Sequence, residues 1–237
     1  MPITIRAGAR LVPTIATFSM TIGLSASTRG AHMSRFIELL EAQARALDPN
    51  RVREILFDML KRLGARSGCL EIRFPYFVRK TAPVSRTQSQ LDYEAEWKAQ
   101  VSEDGRYSFR VRVAVPATSL CPCSKEISAY GAHNQRSLIS IDAELREEMR
   151  IEELIAIAER NASCEVYGLL KRADEKYVTE RAYDNPRFVE DLVREIALEL
   201  DADSRVSAYG VEAENFESIH NHSAYARLVR TQPRKTA

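Results

Sequence analysis

Three segments in the middle of the chain alternate with period two. Leu70, Ile72 and Phe74 alternate with Glu71 and Arg73. Leu91, Tyr93, Ala95 and Trp97 alternate with Asp92, Glu94 and Glu96. Tyr107, Phe109, Val111, Val113 and Val115 alternate with Ser108, Arg110 and Arg112. Successive side chains of a strand point to opposite faces, so each run predicts a strand with one apolar and one polar face. Such strands form antiparallel sheet covered on one side only. Glu103-Asp104-Gly105-Arg106 supplies the hairpin turn between the last two.

The N-terminal stretch reads the same way. Leu11 to Leu24 follows Arg6 and Arg10 and precedes Ser25-Ala26-Ser27, which loosely mimics a signal peptide. Pro13 interrupts it, and Ala16, Phe18, Met20, Ile22 and Leu24 alternate with Thr17, Ser19, Thr21 and Gly23. That is a half-buried strand. No stretch is long and apolar enough to span a bilayer.

Helices supply the cover. Phe36, Leu39, Leu40, Ala44 and Leu47 predict a helix from about Met33, ended by Asp48-Pro49-Asn50. Val52, Leu56, Met59, Leu60 and Leu63 predict a second, closing at Gly64. In the second half, Leu138–Leu145 reads as a strand and Ile151–Arg160 and Glu175–Tyr183 as helices. Asn185 reads as the N-cap and Pro186 as the first residue of a helix to Leu200. Val206–Ala213 and Ala224–Val229 close the fold as strands, and Thr231–Ala237 frays. Helices grouped between antiparallel strands make the class α+β.

The chain has 237 residues and a net charge of +1, with 28% charged and 45% hydrophobic residues. A near-neutral balance excludes a global polycation for nucleic acid or a membrane surface, so an anionic ligand needs a local cluster. The 4 cysteines form no disulfide scaffold and place the chain in a reducing, cytoplasmic compartment. Cys121 and Cys123, one proline apart, have poor geometry for a mutual bridge. Cys69 and Cys164 read as buried small hydrophobes.

One short window carries chemistry. Leu120-Cys121-Pro122-Cys123-Ser124-Lys125 and His133-Asn134-Gln135-Arg136-Ser137 combine thiols and an imidazole, which ligate zinc-like ions, with side chains that hold phosphate. Two ligands do not define a metal site, so a buried thiol beside a core histidine stays equally open. His220 and His222 read as surface histidines or ligands. His32, with Ser34 and Arg35 at a helix start, reads as a phosphate cradle. Glu190, in the first turn of its helix, complements the helix dipole or accepts a guanidine-like edge.

These segments, with Thr17-Phe18 and Asn185-Pro186-Arg187-Phe188-Val189-Glu190-Asp191, closely resemble type IB GTP cyclohydrolase I from about Leu11 to about Leu228. The chain starts later than many family members, without a longer leader. The resemblance implies the tunnelling fold (T-fold), antiparallel sheets with helices on one side. It implies a single catalytic unit, 1–237, of two tandem halves near 11–118 and 119–230, and homotetramers with active sites at subunit interfaces. It implies conversion of GTP to 7,8-dihydroneopterin triphosphate and formate, the entry to tetrahydrofolate. The implied ligands of a divalent ion (zinc, manganese or iron(II)) are Cys121, His133, Glu175 and His220, with Glu180 and His222 as rivals. Glu190 would anchor guanine, and Cys123 would lie at the site. Lys125, Arg136, Ser137, His32 and Arg35 would hold the rest of the substrate. No nucleic acid or membrane partner is implied. The alternatives are an archaeal-type relative that makes a cyclic phosphate, a tunnelling-fold nitrile reductase with a cysteine nucleophile, and a catalytically silent zinc-stabilised oligomer. His133 beside the cysteine argues against the nitrile reductase.

Overall fold

The structure is a computed structural model that describes residues 1–231 except 9, 25–29, 31, 44 and 45. In chain order its elements are β1 (Pro2–Ala7), β2 (Arg10–Ile15), β3 (Thr17–Ile22), α1 (Met33–Gln43), β4 (Ala46–Leu47), α2 (Pro49–Leu63), β5 (Gly68–Thr81), β6 (Gln88–Val101) and β7 (Tyr107–Leu120). There follow α3 (Pro122–Ile127), β8 (Asn134–Leu145), α4 (Ile151–Asn161), β9 (Cys164–Glu165), α5 (Arg172–Asp184), α6 (Val189–Ala202), β10 (Val206–Phe216) and β11 (Ser223–Arg230).

The main sheet runs β11-β10-β8-β7-β6-β5-β3, with β9 paired to β7. All its pairings are antiparallel. One face is apolar. Ile72, Phe74, Trp97, Val113, Ile141 and Val211 are buried there beneath α2, α4 and α6. Burying a side chain of that size stabilises by roughly 1.5–3 kcal/mol each. The other face is a charged ladder. Arg73 pairs with Glu96 at 2.7 Å, Lys98 with Glu71 at 2.7 Å and Arg110 with Asp142 at 2.9 Å. The period-two reading therefore holds for β5, β6 and β7, whereas the N-terminal run read as one strand divides at Ala16 into β2 of a small sheet and β3 at the edge of the main sheet. The expected 118/119 division falls inside β7. The topology instead repeats about the β6–β7 turn: α1 and α2 sit between the paired strands β3 and β5, and α4 to α6 between the paired strands β8 and β10.

Local signals explain most boundaries. Asp48 caps α2 by accepting the Arg51 N–H at 2.8 Å, Pro49 follows, and Gly64 closes the helix at φ 62°. Three further readings need correction. The first helix stops at Gln43, and Leu47 is a buried residue of β4 in a small sheet ordered β2-β1-β4. Ala44 lies outside the described residues. Asn185 caps the C-terminus of α5, not the start of α6. Its side-chain amide donates to Ala162 O at 2.9 Å, a tertiary bond that outcompetes the local N-cap role. The strand read from Leu138 begins four residues earlier, at Asn134. Among the described residues no helix is long and apolar enough to cross a membrane.

Asp174 fixes the start of α5. It is fully buried and accepts from the N–H groups of Val84, Ser85 and Lys171 at 2.8, 2.8 and 2.9 Å. Burial opposes its charge, but hydrogen bonds from Ser85, Lys171 and Val84 outweigh that and hold the carboxyl well below its usual range. A depressed pKa adds stability that is present above the unfolded value of 3.8 and lost as pH falls below it. Asp174→Asn is therefore expected to lower the melting temperature at neutral pH. The gap from wild type should narrow as pH drops through about 4. Melting curves across that range check this; a gap independent of pH would contradict it.

Candidate active site

The β7–β8 pairing ends at Leu120 opposite Asn134. One step further, the Cys121 N–H donates to His133 O at 3.2 Å, so the thiol and the imidazole leave the sheet side by side. Cys121 is the N-cap of α3, and its Sγ accepts the Ser124 N–H at 3.5 Å. A proline directly after the cap starts this short helix. The Ser124 hydroxyl accepts the His133 N–H at 3.2 Å, tying the two ends together again. All four cysteines are free. Cys164 is buried as expected, and burial pushes its thiol up to about 11; Cys69 is only half-buried, and its partial burial raises its thiol.

Two other segments reach this corner. The β10–β11 connection brings Ser218 Oγ to 3.2 Å from His133 Nδ1. It also carries His220 and His222, both exposed, with rings stacked at 5.1 Å between centroids. The α5–α6 connection is pinned by the Arg187 N–H, which donates to Leu120 O at 3.1 Å. That bond sets the first turn of α6, with exposed Glu190, near Cys121. Glu217 was not singled out from the sequence. Its Oε1 accepts from Gln135 Nε2 at 3.3 Å, which adds a carboxylate beside Ser218. Only its neighbourhood to the two histidines could have flagged it.

Other expected residues are placed differently. Lys125 is at the corner, but its Nζ donates to Tyr183 O at 2.5 Å and lies 4.2 Å from the Tyr183 ring centroid. Glu175 is exposed in the first turn of α5. At 1.5 Å rise per residue it lies about 12 Å along the helix from Tyr183. Glu180, also exposed, pairs with Lys176 at 3.7 Å. Cys123 is exposed on α3, and Arg136 is exposed on β8. Ser137 is fully buried: its Oγ lies 2.5 Å from Ser119 Oγ and donates to Asn215 Oδ1 at 2.6 Å. It ties three strands together and is closed to solvent within the chain. Arg35 donates to Arg62 O at 2.8 Å, at the C-terminus of α2. That end of α2 packs near Gly68, which pairs with Val101, which in turn pairs with Tyr107. Arg35 and the exposed His32 thus lie at the far end of β7, roughly 40 Å of strand from Cys121. Within one protomer they do not join the corner. No group of three His, Cys, Asp or Glu side chains converges on a metal-sized site among the described residues.

The family model for "Type I GTP cyclohydrolase folE2" matches residues 1–226. The chain belongs to that family. It is 56% identical to the GTP cyclohydrolase FolE2 of Azoarcus sp. (strain BH72) over 217 residues, 92% of this chain and 81% of the relative. It is 57% identical to the FolE2 of Burkholderia ambifaria (strain MC40-6) over 230 residues, 97% and 85% of the two chains. Among solved structures, uricase from Arthrobacter globiformis covers 100% of this chain and 91% of its own, with a TM-score of 0.55 and 8% identity. That likeness speaks for the shared tunnelling fold alone.

Because Ser137 is structural, Ser137→Ala should destabilise the protein by about 1–3 kcal/mol, the cost of leaving buried polar partners unmatched. The KM for substrate should stay near wild type. Urea unfolding with steady-state kinetics checks both; a raised KM at unchanged stability would restore Ser137 to the substrate.

Proposed function

We propose that the GTP cyclohydrolase activity of this family resides, in this chain, at the corner built by Cys121 and His133, and that this corner holds a divalent metal ion. The observation that carries the proposal is the side-by-side exit of those two residues from β7 and β8. The donor chemistry fits: a thiol capping a helix, an imidazole and nearby carboxylates suit zinc-like ions. The contact of His133 Nδ1 with Ser218 Oγ fits too. With Nδ1–H donating to Ser218, Nε2 is left free as a ligand. Cys121, His133 and His220 would hold the ion, with Glu175 completing the set. A bound divalent ion lowers the pKa of water to about 7 and so supplies hydroxide at neutral pH.

The reaction sets the demands on the remaining residues. Water adds at C8 of guanine, the imidazole ring opens to a formamide, and hydrolysis releases formate. The ribosylamine then opens and rearranges to a 1-amino-2-keto chain, whose C2′ carbonyl condenses with the freed 5-amino group and expels water to give 7,8-dihydroneopterin triphosphate for folate synthesis. Glu190 accepts from guanine N1–H and the 2-amino group, fixing C8 at the Cys121–His133 corner. Adenine presents the wrong edge and is rejected. Arg136, exposed and close in sequence to His133, would meet the triphosphate. Free thiols suit a cytoplasmic setting.

The site is completed in a homotetramer, with active sites at subunit interfaces. Three observations support this. Glu175 is separated from the corner, His32 and Arg35 lie at the other end of β7, and the sheet has two edges, β3 and β11. On β11, Tyr225 is 56% and Val229 49% exposed, the apolar edge a neighbour would cover. Sedimentation should give a tetramer. A fully active monomer would contradict the shared site.

Glu190→Gln tests the guanine anchor. It loses a charge-assisted acceptor worth roughly 1.5–3 kcal/mol, so turnover of GTP, followed by neopterin fluorescence after oxidation, should fall at least about tenfold. The metal should stay bound. A purely dipolar role would leave the kinetics unchanged and lower the melting point slightly.

A further inference from the structure

We propose that Arg187 is a substrate-binding residue that donates to the carbonyl oxygen O6 of guanine. The inference rests on the reading of Glu190 as acceptor for N1–H and the 2-amino group.

Arg187 stands between α5 and α6. Its backbone N–H bonds Leu120 O, the residue before Cys121, and Glu190 follows three positions later. The side chain is half-buried, and its Nε is cut off from solvent with no hydrogen-bond partner. The other half-buried guanidiniums among the described residues are matched: Arg51 by Glu54, Arg110 by Asp142, Arg181 by Glu165 and Arg205 by Asp203. Among the described ion pairs none involves Arg187. A second orphan lies in the same region. The buried Oε1 of Gln135 has no donor, although the Nε2 of the same amide is engaged by Glu217.

A buried N–H without an acceptor is costly, more so on a charged group, unless a ligand supplies the acceptor. The order of atoms around guanine indicates which one. From C8 the purine edge runs through N7 to O6, then to N1–H and the 2-amino group. Along the backbone Arg187 stands between Leu120, its hydrogen-bond partner beside Cys121, and Glu190, three positions further on. Glu190 satisfies two donors and leaves O6 in need of one. Arginine is the commonest partner of guanine O6. The triphosphate lies beyond the ribose, and phosphate is matched by an open guanidinium fork rather than by a lone buried Nε–H.

The test compares GTP with 6-thio-GTP, which keeps N1–H and the 2-amino group and replaces O6 by a weak acceptor. Wild-type enzyme, Arg187→Met and Arg187→Lys are assayed for kcat/KM, for equilibrium binding of GTP and guanosine, and for melting. Wild type should favour GTP by about tenfold or more. Arg187→Met should lose at least about tenfold on GTP, bind guanosine more weakly as well, and treat the two nucleotides alike. Arg187→Lys should recover part of the discrimination, and it carries the test if the methionine variant fails to fold. Equal losses on GTP and 6-thio-GTP would overturn the assignment, as would weaker binding of GTP with unchanged binding of guanosine, the mark of a phosphate contact. Failure of the Glu190 reading is seen separately, as wild-type turnover by Glu190→Gln, without any change in the thio discrimination.

Discussion

The register of the β7–β8 hairpin is the constraint on which the site depends. Eleven residues of β7 pair in sequence with β8 and end with Leu120 opposite Asn134. A slip by one residue would turn every side chain to the other face, putting Val113 and Ile141 among the charges and Arg112 and Asp142 in the core. The apolar face therefore locks the register. The locked register delivers Cys121 next to His133. Chemistry at the end of the sheet is set by packing in its middle.

Buried polar contacts reinforce this. Ser119, Ser137 and Asn215 bond one another across β7, β8 and β10 just below the corner. Such bonds add little net stability but are expensive to break, so they specify alignment more than they add strength. The Arg187 N–H joins the α5–α6 connection to the same strand end. Three separate stretches of chain are thus referred to one point, while Glu175, His32 and Arg35 are held elsewhere. That division is what a site shared between protomers requires.

Much of this is legible in the sequence, for identifiable reasons. Strands β5, β6 and β7 are covered on one face only, so their alternation is strong, and α2 carries both its caps. Asn185 misleads because its amide bonds the carbonyl of Ala162 across the fold, which no local rule contains. Asn134 to Ser137 fall outside the expected strand because they are polar, yet they belong to β8, and Ser137 is buried among partners from β7 and β10. Cys121 and His133 are legible as candidates from their motif, while their spacing alone leaves a buried thiol beside a core histidine equally open. Arg187 and Glu217 are not, since their meaning comes from contacts distant in sequence.

The claim at the centre is that Cys121 is a thiolate ligand of the ion that drives opening of the guanine ring. The most direct measurement is metal content by elemental analysis, taken together with release of C8 of labelled GTP as formate, on wild type and Cys121→Ala. Wild type should carry stoichiometric divalent metal and release formate as GTP is consumed. The variant should melt cooperatively, hold little metal and release none. A folded Cys121→Ala that keeps its metal and its formate release would contradict the account.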